Sequence, residues 1–495
     1  MDELLLGIDI GTASSKAVLA TPTGDIVASA QVSHQMDLPR PGWAEMDAEG
    51  VWWADVVTLS RQLVDETKRD AIAAMCVSGI GPCLLLCDDQ LVPQRPAILY
   101  GIDMRATEEI AELTDRLGAD EIVRRGGTAL STQAVGPKML WVQRQEPDVW
   151  GRSTRWFNAN SYVVAKLTGE YVLDHHTASQ CDPLYDIREF RWMDDWVDEI
   201  APGMTMPRLA WPSEIVGSVT AQAAAITGLR EGTPVAAGTV DAWAEALSVG
   251  VRRPGDVMLM YGSTMFVVQV LPGLRTSPLL WTTAGVEPGS YTAAAGMATS
   301  GILTSWMREL MGGVPFETLV EEAAATPAGS DGLLLLPYFA GERTPIFDPD
   351  ARGVIAGLSL RHTRGHLFRA TYEGTAFGFR QILGLLDDVG QDLPQRIVAV
   401  GGGTQGGLWT QIVSDVTQRQ QFLPQQTIGA SYGDALMAGV GAGLVPADTD
   451  WVRDPAVIEP NAQSAHVYDE LFAGFERLYP STREVVHELA RRQAE

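Results

Sequence analysis

The apolar run Leu4 to Ile10 reaches a Gly11-Thr12 turn and resumes at Ala17-Val18-Leu19, and the same figure returns half a chain later. There Val257-Met258-Leu259-Met260-Tyr261 runs into Gly262-Ser263-Thr264 and resumes at Phe266-Val267-Val268. A nearly continuous apolar run of this length suits a strand buried on both faces, and the small residues at the break let the chain reverse. Two copies of one strand–turn–strand unit argue for an architectural duplication. The expectation is an α/β chain of two similar domains, and a length of 495 residues is comfortable for two cores but not for one. The boundary is expected near Ser248, giving domains 1–247 and 248–495.

The first copy continues through Pro22-Thr23-Gly24-Asp25 into Ile26-Val27-Ala28, which predicts a three-stranded antiparallel meander. A helix is predicted from about Ala48 to Lys68, then strands at Ala74–Val77 and Leu84–Cys87. Thr107 to Leu117 has the pattern of a capped amphipathic helix, with Ile110, Leu113 and Leu117 on one face and Glu108-Glu109 in the first turn. Ala435 to Val445, rich in Gly and Ala, suits a tightly packed helix. A last helix carries Tyr468, Leu471, Phe472, Phe475, Leu478 and Tyr479 at helical spacing.

A formal charge of −26 argues against a nucleic acid or an anionic membrane as partner, since either would repel the chain. An anionic ligand must then be met locally, by backbone N–H groups, a metal ion and a few basic side chains. No apolar run approaches the ~18 residues of a membrane span. Met1-Asp2-Glu3 is acidic where a secretory signal would be basic, so the expected location is the cytoplasm. Cys76, Cys83, Cys87 and Cys181 show neither a CxxC pair nor a zinc spacing, and are expected to be reduced core thiols.

Familiar catalytic patterns are missing: no GxxxxGK[ST], no His-Arg-Asp loop and no HExxH. What stands out is a set of glycine turns paired with carboxylates at strand ends. In Gly7-Ile8-Asp9-Ile10-Gly11-Thr12 the turn can cradle phosphate oxygens, Asp9 can hold a magnesium-bound water, and Lys16 is close enough to reach a phosphoryl group. An ordinary hairpin with Asp9 as a turn acid is the alternative. In Gly238-Thr239-Val240-Asp241 the acid follows a small buried strand and opens an Ala-rich helix, as either a helix cap or a general base. Gly401-Gly402-Gly403, after the strand Ile397–Val400, lets a ligand approach the backbone closely, or is simply a flexible loop.

These residues resemble the FGGY carbohydrate kinases of the actin-like ATPase superfamily. Gly353-Val354-Ile355-Ala356-Gly357-Leu358, seven further residues, then His366-Leu367 and Ala370-Thr371-Tyr372-Glu373 fit the family's second signature without a gap. Gly341-Glu342-Arg343-Thr344-Pro345, the triple glycine, Gly433-Asp434-Ala435 and Pro41-Gly42-Trp43-Ala44-Glu45 also match. The first signature is partial: Lys138-Met139-Leu140-Trp141-Val142 fits, whereas Gln133 and Val135 depart from it.

The resemblance implies two ribonuclease-H-like domains, each a mixed sheet flanked by helices, with a cleft between them. It implies ATP and Mg2+ as cofactors and a small sugar or polyol as partner, with a homodimer one candidate assembly. Carried over by position, Asp9 is the metal-associated acid, and Gly11, Thr12 and Lys16 are phosphate contacts in a sugar-binding N-terminal domain. Gly262, Ser263 and Thr264 form a second phosphate loop, Gly402, Gly403 and Gln405 the nucleotide wall of the C-terminal domain, and Asp241 the catalytic base.

Xylulokinases carry Ser-Gly-Gln-Met-His-Gly where this chain has Ser78-Gly79-Ile80-Gly81-Pro82-Cys83, and the Arg-Glu pair of glycerol kinases is missing as well. Gly81, Pro82, Asp103, Trp43 and Asp241 are the candidate sugar contacts, with a local Asp103–Arg105 ion pair as the alternative role for Asp103. A xylulokinase-like pentulose kinase is the leading expectation, and a kinase for another ketose, a tetritol or a sugar acid follows. From another class come a non-catalytic sugar sensor, which would have lost an acid or a phosphate glycine, and an actin-like chaperone, which would need a peptide-binding domain.

Overall fold

Leu4, Leu6, Ile8 and Ile10 point to one face of a strand, and Leu5, Gly7 and Asp9 to the other, and the structure buries both faces. The computed structural model describes residues 3–67, 72–391, 393–426 and 428–494. Met1, Asp2 and Lys68, used above to judge the N-terminus and the first helix, lie outside the described residues. Two compact units are present, one built from Met1–Arg252, Gly273–Thr292 and Ile428–Val452, the other from Arg253–Pro272, Ala293–Thr427 and Arg453–Glu495.

In the first unit Leu4–Ile10 sits inside a six-stranded mixed sheet in the order Ile215–Ser218, Pro234–Ala236, Ile72–Gly79, Leu4–Ile10, Ser14–Ala20, Ile26–Ser33. The meander forms as expected, antiparallel through all three strands. Gly24 turns it at a φ of 85°, where a Cβ would be strained. Ile72–Gly79 joins Leu4–Ile10 in parallel, Pro234–Ala236 joins Ile72–Gly79 in parallel, and the outermost strand runs antiparallel.

One face of this sheet is covered by the helix Ala54–Glu66, which places Val56, Leu59 and Leu63 in a core with Leu6, Ile8 and Val77. The expected start at Ala48 is instead a turn of π-helix, Ala48–Trp53, begun by the Asp47 side chain accepting from the Glu49 and Gly50 N–H groups. The helix Ala430–Gly441 packs on the other face, where Ala435, Leu436 and Ala438 meet Leu5, Val18, Ala74 and Cys76. Its approach is set by glycines: a Cβ on Gly7 would fall 1.9 Å from the Ser431 carbonyl oxygen, and one on Gly433 2.0 Å from that of Ala244.

Two local expectations need correction. The helix Thr107–Leu117 forms over the expected span, but Ala106 is its N-cap and no side chain caps it; the Thr107 hydroxyl donates back to the Met104 carbonyl at 2.7 Å instead. The strand expected at Leu84–Cys87 is Leu85–Cys87. All four cysteines are free and buried.

The second unit repeats the pairing scheme of the first. Asp256–Tyr261 pairs antiparallel with Met265–Leu271 and parallel with Arg396–Val400, followed by Gln421–Leu423 in parallel and Ala456–Ile458 antiparallel. Tyr291–Met297 lies beyond Met265–Leu271. The long helices Arg364–Gly390 and Ala465–Ala494 meet through aromatic contacts, with the Phe377 ring 5.4 Å from that of Phe475 and 6.1 Å from that of Tyr468. Among the described residues no helix is long and apolar enough to cross a membrane.

Candidate active site

Strand register gathers the acids of the first unit. Asp9 lies opposite Lys16 on one side and beside Ser78 on the other, and it shares the face of Leu5 and Gly7 on which the helix Ala430–Gly441 packs. Burial holds the Asp9 carboxyl well above the usual range, the charge of Asp241 adds to that, and Lys16 opposes it. Asp434 on that helix is fully buried, accepts the Ser78 hydroxyl at 2.6 Å, and is also pushed up by burial, with Asp9 adding to the push. Burial raises Glu245 too, against the pull of Lys16.

Asp241 is the first residue of the helix Asp241–Ser248, whose N-cap is Val240. Its carboxylate accepts from the adjoining Ala242 N–H at 2.7 Å, whereas a capping acid would sit one position earlier and reach the second or third helical N–H. Burial raises this carboxyl to about 7, with the Ala242 N–H pulling it down and the charge of Glu245 pushing it up.

Asp9 Oδ1 is buried and accepts no hydrogen bond among the described residues. No group of three or more His, Cys, Asp or Glu side chains among those residues is arranged to hold a metal by itself. One free carboxylate oxygen beside other acids suits magnesium, which keeps most of its ligands as water and phosphate oxygens.

At the proposed sugar loop the backbone is firmly tied. Gly79 N donates to Thr239 O at 3.1 Å, Ile80 N to Ile10 O at 2.8 Å, and Cys83 N to Asn158 Oδ1 at 2.6 Å. A Cβ on Gly81 would stand 2.9 Å from Asn158 Nδ2, so the methionine of xylulokinases does not fit here without displacing that amide. Pro82 is buried within the same loop. The Thr12 hydroxyl meets Tyr100 OH at 2.8 Å.

The ion-pair alternative for Asp103 is realised. Arg105 Nη2 lies 2.7 Å from Asp103 Oδ2, Arg105 Nη1 2.7 Å from Glu45 Oε1, and Ala44 N also donates to Asp103 Oδ2 at 2.7 Å. The same guanidinium stands 4.1 Å from the centre of the Trp43 ring. Asp103 is thereby saturated, and its effect is to fix Arg105 against Trp43.

The second unit holds a cavity of about 990 Å3 lined by Tyr261, Gly262, Ser263, Gly301, Tyr372, Gly402, Gly403, Gln405 and Trp409. It unites both glycine elements picked out in this half of the chain, and Thr264 follows directly behind them. Gly262 O accepts from Gly301 N at 2.9 Å and Ser263 O from Ser300 N at 3.1 Å, so the loop closes over the start of the helix Gly301–Leu310. Tyr372 and Trp409 stack at 5.0 Å, with Tyr261 edge-on to Trp409 at 5.2 Å. A wall of aromatic rings beside glycine backbone suits a planar base carrying phosphates.

Glu373, which closes the family signature, has a structural setting. It accepts from Gly329 N at 2.9 Å, Ser330 Oγ at 2.7 Å, Arg369 Nε at 2.7 Å and Tyr468 OH at 3.0 Å.

Residues 4–248 match the N-terminal domain of the FGGY family of carbohydrate kinases and residues 257–442 its C-terminal domain. The chain belongs to this family: it is a carbohydrate kinase with the two-domain actin-like α/β fold of mixed sheets flanked by helices. A crystal structure of xylulose kinase from Rhodospirillum rubrum matches with a TM-score of 0.91 at 34% identity, covering 98% of this chain and 100% of that one. A xylulose kinase of Lactococcus lactis is 29% identical over 499 residues, 98% of each chain. A gluconokinase of Bacillus subtilis is 25% identical over 460 residues, 90% of this chain and 89% of its own. Membership of a kinase family leaves the sensor and chaperone alternatives without support.

Proposed function

We propose that the protein transfers the γ-phosphoryl group of ATP to a hydroxyl of a small ketose or polyol, with xylulose the first candidate and Asp241 the general base. Residues 1–247 would serve the sugar and residues 248–495 the nucleotide. The observation that carries the proposal is the setting of Asp241: a raised carboxyl that accepts from the N–H of the next residue, in a cluster with Asp9. A base of this kind is half-charged near neutral pH, where it can accept the proton of a sugar hydroxyl.

Bound Mg2+ and ATP supply the phosphoryl group and neutralise charge on its oxygens. Asp9 Oδ1 would hold a water of the magnesium shell, Lys16 and the Gly11-Thr12 turn would contact phosphate, and Gly262, Ser263 and Thr264 would form a second phosphate loop. Gly402, Gly403 and Gln405 would bound the nucleotide, with the stacked Tyr372 and Trp409 against its base. Trp43, held by Arg105 and Asp103, would present an apolar wall to the sugar, and Gly81 and Pro82 would shape the backbone beside it. Xylulose comes first because the relatives above include two xylulose kinases, and the gluconokinase keeps sugar acids as the runner-up.

The test is ADP release over a panel of D-xylulose, D-ribulose, erythritol, D-gluconate and glycerol. A loop that shapes backbone and offers no charged group discriminates weakly, so several members should turn over within ~100-fold of one another. No ADP above the sugar-free background would refute the small-sugar reading. One substrate preferred by several orders of magnitude would refute the weak discrimination.

A further inference from the structure

His34 follows the strand Ile26–Ser33, and its side chain is only 7% exposed. Nε2 stands 3.0 Å from the Gly11 carbonyl oxygen and Nδ1 2.7 Å from Asp55 Oδ2. A carbonyl oxygen has no proton to give, so Nε2 is the donor of the first bond. Asp55 Oδ2 also accepts the Ser15 hydroxyl at 2.7 Å, so the imidazole bridges the Gly11 carbonyl and a carboxyl group held from a second side. Backbone bonds close the same corner, His34 N to Ala13 O at 3.0 Å and Gly11 N to Ser14 O at 3.1 Å.

We infer that His34 is a positioning residue for phosphoryl transfer: braced on Asp55, its imidazole grips the Gly11 peptide and fixes the Gly11-Thr12 turn. The inference rests on the reading of that turn as phosphate-facing. Gly11 and Thr12 are both partly open to solvent, and His34 ties their peptide to the buried Asp55 on the helix Ala54–Glu66. The bridge steadies a turn where a polyanion would approach a chain with a formal charge of −26.

The test compares His34→Ala and His34→Gln with the parent in ATP-dependent sugar phosphorylation and in thermal unfolding. His34→Ala should lower kcat by ~10–100-fold with the sugar KM unchanged, because a misplaced phosphate turn acts on the transferring group. His34→Gln keeps one donor for the Gly11 carbonyl and should fall between the two. Free imidazole should restore part of the turnover of His34→Ala. Turnover within twofold of the parent overturns the inference, as does a loss matched by a lower unfolding temperature and untouched by imidazole. Thr12→Val separates the layers: a loss there with none in His34→Ala sinks the role of His34 alone. No loss in either variant sinks the phosphate reading of the turn, and the inference with it.

Discussion

Asp241→Asn removes a charge and almost no volume, and the structure sets two opposed consequences for it. Burial lifts the Asp241 carboxyl to about 7, whereas an unfolded chain would hold it at ~3.9. Between those values the folded protein binds a proton that the unfolded chain has lost, so this group's contribution to stability is full below pH ~4 and falls as pH rises through about 7. The gap spans about three decades of proton concentration at ~1.4 kcal/mol each, which bounds the penalty near 4 kcal/mol. Partial exposure of the carboxylate to water reduces this to about 1–2 kcal/mol.

An amide carries no such penalty. At about pH 8 the variant should therefore unfold a few degrees above the parent, at ~2–4 °C per kcal/mol, and the difference should shrink towards pH ~4. Turnover should move the other way, falling by ~10²–10⁴ with the KM for ATP nearly unchanged. Thermal unfolding at about pH 5 and about pH 8, beside a coupled ADP assay, reads both. A variant less stable than the parent at pH 8, or one offset equally at both pH values, refutes the electrostatic argument. Near-normal turnover in the folded variant would demote Asp241 to a helix-start acid.

Asp9→Ala should remove most of the Mg2+-dependent rate while leaving the protein folded, and parent activity that survives EDTA would rule out the metal. Gly402→Leu tests the nucleotide cavity without strain, since no heavy atom lies within 4 Å of the position a Cβ would take there. Its side chain would enter ligand space and raise the KM for ATP by ~10-fold or more at unchanged sugar KM, an outcome that an unaltered ATP titration would contradict. Glu373→Ala strands Arg369 in the interior and should cost about 3–5 kcal/mol in urea unfolding; a loss under ~1 kcal/mol would show the network to be slack.

The two hairpins were legible because burial on both faces leaves an uninterrupted apolar run, and because Gly11-Thr12 and Gly262-Ser263-Thr264 break it with small residues. Asp9 was legible for the same reason, as an acid inside such a run. Its neighbour Asp434 was visible only as part of a family motif, since nothing in local spacing brings a residue from the far end of the chain onto the face of Leu5 and Gly7. The choice between cap and base at Asp241 turns on which residue takes the cap conformation, a backbone property that four residues of sequence leave open. Asp103 was undecided for a related reason: the neighbouring Arg105 pairs with it, but Ala44 and Glu45, which complete the network, are distant in sequence. The span of the helix Thr107–Leu117 was readable from periodicity, whereas its cap was not, because a threonine hydroxyl can bond forwards or back. Tyr372 and Glu373 were read together as signature residues, yet one lines a cavity and the other holds two helices in register.

The sheet of the first unit is closed by the helix Ala430–Gly441, and that has a consequence for how the protein is made. A ribosome working at ~5–20 residues per second completes residue 252 roughly ten to forty seconds before it reaches this helix. Through that interval the nascent chain carries Leu5, Val18, Ala74 and Cys76 as a bare apolar face, and Gly7 has no partner backbone to meet. Holdase chaperones are the natural guardians of such a face. A fragment ending at Arg252 would stay bound to them or aggregate, and a separately supplied peptide of residues 428–452 would complete it in trans.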